Sequence, residues 1–268
     1  MKKHMITSLS NKSVKEVVQL SAKARERNKQ DLFVVEGIKM FREAPADRIE
    51  KVYISNRVEK EIWSQYEARL SGMSYEIVSD EVFAKMSDTK TPQGILCLVR
   101  QYHYRIEELL AGKNKKQLLF ILLEDIQDPG NLGTIIRTGE GASVDGIIMS
   151  SQTADLYNPK TIRSTMGSVY RVPFVYTQDL RETMRILQNQ GVSIYAAHLG
   201  GGGYYDEYDY RRHTAFLIGN EGNGLKEETA EGADVCLRIP MEGEVESLNA
   251  AVASSVLMYE AYRQRRSR

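Results

Sequence analysis

Five short apolar runs in the second half of the chain constrain its fold more than any other feature: Leu118 to Leu123, Ile147 to Met149, Ser193 to Ala197, Ala215 to Ile218 and Val235 to Ile239. None follows the apolar-polar alternation of a half-exposed strand, so each predicts a strand buried on both faces. Helical stretches separate them, as the crossovers of a parallel sheet require. The expected C-terminal fold is therefore α/β with a parallel sheet.

The first hundred residues alternate in shorter units. Val14, Val17, Val18 and Ala22 suit a helix, Leu32 to Val35 and Val52 to Ile54 suit strands, and Ile62 to Leu70 suits a helix. A strand near Tyr75 to Val78, a helix capped by Ser79 with Val82, Phe83 and Met86 inward, and a strand Ile95 to Val99 complete a small α/β sandwich. With 268 residues, 42% of them hydrophobic, the chain can build two cores. A polar stretch from Gln101 to Gln117, with Gly112, Lys113, Asn114, Lys115 and Lys116 in it, separates them. The expected domains are 1–108 and 118–268, joined by a linker at 109–117.

Net charge is zero but unevenly spread. Lys2, Lys3, Lys12, Lys15, Lys23, Arg25, Arg27 and Lys29 face only Glu16 and Glu26 at the front, and Arg263, Arg265, Arg266 and Arg268 close the chain. The segment Glu221 to Glu246 is acidic. Either an anionic partner meets defined basic surfaces or these charges are solvated faces and a solubilising tail. Cys97 and Cys236 sit in apolar runs without metal or redox spacing and read as reduced core thiols. His4, His103, His198 and His213 show no metal spacing either, so a metal site is not expected. The longest apolar run is too short to span a bilayer and no signal-peptide core leads the chain, so the expectation is a soluble, cytoplasmic protein without membrane partners.

Three turns that follow predicted strands carry the chemistry, since open α/β sheets bind ligands at strand ends. The first runs from Glu124 to Arg137, where Asp128 and Pro129 mark a helix start. Asn131 and Arg137 then lie about 240° apart around that helix. They cannot both face one pocket unless Asn131 sits in the entry loop or a second subunit contributes. Alone, the first reads as a turn residue and the second as a surface charge. The second turn, Gly219-Asn220-Glu221-Gly222-Asn223-Gly224, packs three glycines around one carboxylate and lacks the lysine of a phosphate loop. It suits a cationic or neutral ligand. The third, Ile239 to Val252, is an acidic turn breaking into a helix expected to open on Ser247. Together the three describe an electronegative, glycine-lined pocket that suits a sulfonium such as S-adenosylmethionine better than a nucleoside triphosphate. A fourth glycine run, Gly200 to Gly203, precedes Tyr204, Tyr205, Tyr208 and Tyr210, which either stack bases or anchor the loop to the core.

These turns resemble, in order and spacing, the three signature motifs of the SpoU (TrmH-type) RNA 2'-O-ribose methyltransferases of the SPOUT superfamily. Asn131 and Arg137 match the first motif, Gly219 and Glu221 the second, and Ile239, Ser247 and Asn249 the third. Asn158-Pro159-Lys160, Arg163-Ser164 and Met166-Gly167-Ser168 between them are also similar to the family. Phe33-Val34-Val35-Glu36-Gly37 and Thr91-Pro92-Gln93-Gly94-Ile95 resemble the substrate-binding domain of its longer members. The resemblance implies a trefoil-knotted α/β methyltransferase domain behind a smaller (L30e-like) α/β RNA-binding domain, and a homodimer with interfacial active sites. It implies S-adenosylmethionine held by backbone around Gly219, Ile239 and Leu248, and catalysis by Arg137 with Asn131, Glu221, Ser247 and Asn249. It further implies RNA held by Lys160 and Arg163, with ribosomal RNA the first choice of substrate and transfer RNA the second. A catalytically silent RNA-binding or ribosome-assembly factor is the rival reading; the presence of all five motif residues argues against it.

Overall fold

The computed structural model describes residues 5–111 and 117–266. Gly112 to Lys116 of the expected linker, and Lys2, Lys3, His4 and Arg268, lie outside the described residues. The chain divides into two compact units, Met1–Tyr102 with Asp155–Tyr170, and His103–Ala154 with Arg171–Arg268.

The first unit opens with α1 (Lys12–Ala22), capped by the Asn11 side chain, then α2 (Ala24–Gln30), β1 (Leu32–Glu36), α3 (Ile38–Glu43), β2 (Ile49–Ser55), α4 (Glu59–Leu70), β3 (Tyr75–Val78), α5 (Asp80–Met86) and β4 (Ile95–Arg100). The strands order β1-β4-β2-β3, with β4 antiparallel to both neighbours and β2 parallel to β3. Helix α5 starts where expected: the Ser79 hydroxyl accepts the Val82 N–H, and Val82, Phe83 and Met86 turn inward because their spacing puts them on one face. They join Val14, Val17 and Leu20 of α1 against Val34, Tyr53, Leu96 and Leu98 of the sheet. Arg27, one of the front cations, is buried rather than offered to a partner. It donates to the carbonyls of Leu20 (2.6 Å) and Ser21 (3.1 Å) and pairs with Asp155.

The second unit begins with α6 (Ile106–Leu110), a short helix in a stretch that the sequence reads as polar. Leu109 gives it an apolar foot, and a Cβ on Gly146 would come within 2.5 Å of that side chain. There follow β5 (Leu119–Leu123), α7 (Pro129–Gly141) and β6 (Gly146–Ser150). The next helix, α8 (Pro159–Thr165), lies in the first unit, where it packs on β1. The second unit resumes with β7 (Phe174–Thr177), α9 (Leu180–Asn189), β8 (Ser193–Ala197), β9 (Gly203–Tyr204), β10 (Thr214–Ile218), α10 (Glu227–Ala230), β11 (Val235–Arg238) and α11 (Ala250–Arg265). Its seven strands order β7-β6-β5-β10-β8-β11-β9 with every pairing parallel, as the apolar runs require. The expected sheet had five strands; the edge strands β7 and β9 escaped it because edge positions do not need continuous apolar runs. Ile121 at the centre of β5 is fully buried, and truncating such a residue to Ala costs about 2–5 kcal/mol.

This strand order positions the site. β5 and β10 are neighbours, so the turns that follow them emerge side by side, and β11 brings the third turn to the same end of the sheet across β8. The tyrosines behind Gly203 largely anchor: Tyr210 is fully buried with its ring 5.0 Å from those of Tyr195 and Phe216, and Tyr208 packs on Tyr195 at 5.6 Å. The closing basic cluster is also partly structural. Arg265 donates to the carbonyls of Tyr210 (2.8 Å), Leu118 (3.0 Å) and Arg212 (2.6 Å), and Arg263 pairs with Glu260 at 2.7 Å. Among the described residues, no helix is long and apolar enough to cross a membrane.

Candidate active site

Asp128 caps α7 as its sequence predicts, accepting the Asn131 N–H at 2.8 Å, with Pro129 in the first helical turn. Asn131 is thus in the first turn of the helix, not in its entry loop. Its carboxamide donates from Nδ2 to Glu221 Oε1 (3.0 Å) and accepts at Oδ1 from Asn249 Nδ2 (3.1 Å). The three motifs therefore meet in one chain of hydrogen bonds, Asn249 to Asn131 to Glu221. Glu221 also accepts the backbone N–H groups of Gln127 (2.9 Å) and Asp128 (3.0 Å). Desolvation raises its carboxyl, but the hydrogen bonds from Asn131, Gln127 and Asp128 outweigh this and hold it below the ordinary glutamate value. It stays an anion at neutral pH.

The third motif differs from its expectation. α11 starts at Ala250, and its N-cap is Asn249, whose Oδ1 accepts Ala251 N–H (2.9 Å) and Val252 N–H (3.4 Å). Ser247 lies two residues earlier, outside the helix, and is not its cap. Packing selects Asn249: it stands in front of the small, buried Ala250 and Ala251, and its carboxamide oxygen reaches the orphan donors of the first turn. One residue thereby closes a helix and touches Asn131.

Beside this chain lies a cavity of about 290 Å³ at the C-terminal ends of β8, β10 and β11. Gly219, Glu221, Ile239, Ser247 and Leu248 line it, whereas Asn131, Arg137 and Asn249 do not. Its charged lining consists of Glu221 and Glu246 with one cation, Arg238, whose guanidinium lies 4.7 Å from the ring centre of Tyr204. Two carboxylates and a mixed polar and apolar wall fit a sulfonium-bearing nucleoside. His198 also lines the cavity, but its Nδ1 accepts the Gly200 N–H at 3.1 Å, which makes it a loop residue. Gly219 is required for packing: a Cβ there would meet the Gly224 carbonyl carbon at 2.2 Å and the Leu225 nitrogen at 2.3 Å.

Arg137 is not brought to the cluster. It is exposed, two turns along α7, and among the described residues it has no hydrogen-bond or ion-pair partner. Lys160 and Arg163 lie on α8 in the first unit, where Arg163 pairs with Asp88. Sequence reasoning missed the donors from Gln127 and Asp128, because backbone direction has no residue signature. It also missed Glu124, buried at the end of β5, which accepts the Lys226 N–H (2.8 Å) and the Thr229 hydroxyl (2.6 Å). An acidic residue behind an apolar run is the only signal for it.

The fold that carries this seven-stranded parallel sheet, with a polar cluster and a cavity at its strand ends, is shared with solved methyltransferases of the SPOUT class. A sequence profile of the SpoU rRNA Methylase family matches residues 118–259, and one of the MRM3-like substrate binding domain matches residues 11–97. The chain belongs to the SpoU family, and as such it is an RNA 2'-O-ribose methyltransferase that uses S-adenosylmethionine. It is 34% identical to the 23S rRNA (guanosine(2553)-2'-O)-methyltransferase RlmP of Bacillus subtilis, over 95% of this chain and 97% of that one. The structure of an AdoMet-bound rRNA methyltransferase from Sinorhizobium meliloti is 30% identical, with a TM-score of 0.85 over 100% of both chains. The AviRb SpoU methyltransferase of Streptomyces viridochromogenes in complex with AdoMet shares the fold at a TM-score of 0.86, over 95% of this chain and 98% of that one, at 24% identity.

Proposed function

We propose that this chain methylates a ribose 2'-hydroxyl of 23S ribosomal RNA in the cytoplasm, as a homodimer, with residues 118–268 carrying the chemistry and residues 1–108 holding the RNA. The hydrogen-bonded chain Asn249, Asn131, Glu221 beside the cavity carries this reading. Similarity to rRNA methyltransferases along nearly the whole chain, substrate-binding part included, favours ribosomal over transfer RNA.

S-adenosylmethionine supplies a methyl group made electrophilic by its sulfonium. Backbone at Gly219, Ile239 and Leu248 holds it, and the carboxylates of Glu221 and Glu246 favour its positive charge. The protein must place the attacking oxygen in line and help it shed its proton. Asn131 has one proton and one lone pair engaged, so its carboxamide oxygen can still accept a hydrogen bond from the 2'-hydroxyl. Glu221 and Asn249 fix that carboxamide from either side, and Ser247 at the cavity wall orients the segment leading into α11. Arg137 is permanently charged, which makes it a poor base and a strong clamp for the adjacent phosphate and the developing alkoxide.

Arg137 faces away from Asn131, so a second copy of the chain supplies it. The exposed Val252, Tyr259 and Tyr262 of α11, which packs on α7, give that copy an apolar surface to cover. Lys160 and Arg163 add phosphate contacts, and RNA affinity then falls steeply with salt. The deciding experiment maps 2'-O-methyl groups in RNA from cells with and without the gene: loss of a 23S site is expected, a lost transfer RNA site would move the substrate, and an unchanged map would leave the silent assembly factor.

A further inference from the structure

The carboxamide of Asn220 ties the second motif turn both to itself and to the turn after β5. Its Oδ1 accepts the N–H groups of Gly222 (2.9 Å) and Asn223 (3.1 Å), and its Nδ2 donates to the Asp125 carbonyl at 2.8 Å. Its own backbone closes the turn with Gly224, N–H to carbonyl in both directions at 3.0 and 2.9 Å. Glu221 is the next residue, so its carboxylate is held between the tip of this locked turn and the N–H groups of Gln127 and Asp128.

The far anchor is fixed as well. Asp125 has φ +55°, a left-handed conformation that an aspartate adopts only when its surroundings hold it. Its carboxylate accepts the Ser150 hydroxyl (2.7 Å) and pairs with Lys226 (2.8 Å), while its N–H donates to Ser150 Oγ (2.8 Å). Its carbonyl accepts from Gln127 Nε2 (3.0 Å) as well as from Asn220. The strained residue thus aims one carbonyl at Asn220, and the amide completes the link between two loops that share no covalent path for ninety-five residues.

We propose that Asn220 is a positioning residue for methyl transfer: it sets the distance between the turns after β5 and β10, and so the place of the Glu221 carboxylate against Asn131. The inference rests on the placement of Glu221 and Asn131 in the active site. It predicts a specific pattern. A residue that acts only through Glu221 loses its effect once Glu221 is gone, whereas a general structural role would add its cost in either background.

The test is a double-mutant cycle on the purified enzyme, with kcat for RNA methylation and S-adenosylmethionine affinity as readouts. Asn220→Ala should lower kcat about 100-fold, the scale of a small misplacement of a positioning group. In a Glu221→Ala background the same change should cost less than about threefold. Asn220→Asp keeps the size and both accepted bonds but replaces the donor to Asp125 with an anionic oxygen facing its carbonyl, so it should also lose turnover while retaining the fold by circular dichroism. Wild-type turnover by both Asn220 variants, or equal losses with and without Glu221, would overturn the proposal. Full activity of Glu221→Ala beside a crippled Asn220→Ala would also overturn it, and would show separately that Glu221 is misplaced in the site. Activity retained by Asn131→Ala, with the cycle still non-additive, would fault the site reading alone.

Discussion

Asn131 and Arg137 occupy the same helix yet behave as opposites. Asn131, in the first turn of α7, is tied to Glu221 and Asn249 and sits beside the cavity. Arg137, two turns on, is exposed and has no partner among the described residues. The first end is tied to the chain's own turns; the second stands open to solvent. One face of α7 builds the cluster and, in the proposed dimer, the other would serve a second copy's site.

The largest expected effect tests that division directly. Arg137→Ala should lower methylation by at least about 1,000-fold, the scale of a lost transition-state contact, while leaving S-adenosylmethionine affinity unchanged. Mixed with an inactive Asn131→Ala enzyme and allowed to exchange subunits, it should regain activity, because a mixed dimer holds one site with both residues intact. No recovery on mixing would place Arg137 in the same subunit's site and end the comparison.

Next in size is Gly219→Ala, which attacks the self-completed end. The added Cβ would meet backbone at 2.2 Å, so the turn must open, at about 3 kcal/mol by the cost of overpacking. Urea unfolding would show this as a lower midpoint, and Glu221 should lose contact with Asn131 along with it. An unchanged midpoint would mean that the turn is looser than its packing indicates.

A smaller effect comes from the Glu221 charge. Its folded pKa lies below the ordinary value, so the stability it lends is fully present above the unfolded pKa and is lost as pH falls through the folded one. Glu221→Gln should therefore unfold at slightly lower temperature than wild type at pH 7, a small effect because solvent screens the exposed carboxylate, and the gap should narrow below about pH 4. A gap constant across pH would show that the carboxylate is not what binds the two turns. The smallest effect belongs to Lys160→Ala: the slope of log RNA affinity against log salt should fall by about 0.8, one phosphate contact, with turnover at saturating RNA unchanged.

Much of this was legible beforehand. The all-apolar runs required a parallel sheet, Asp128-Pro129 and Ser79 marked helix starts, and the glycine turn Gly219 to Gly224 marked a place where backbone approaches backbone. Local chemistry decides each of these within a few residues. The start of α11 misled because Ser247 and Asn249 are both good caps, and only the packing of Ala250 and Ala251 selects the second. The tyrosines after Gly203 left two readings open until Tyr210 was seen buried against Tyr195 and Phe216.

By itself, then, the sequence determined which segments are buried strands, which turns can bend tightly and which side chains are available for chemistry, since these depend on periodicity and on residue type. Tertiary structure alone decided that β10 lies beside β5 and that Glu221 accepts the N–H groups of Gln127 and Asp128. It alone made Asn249 both a helix cap and a partner of Asn131. The β5–β10 pairing and the hydrogen bonds of Glu221 and Asn249 join residues ninety or more apart, and no local pattern carries that information.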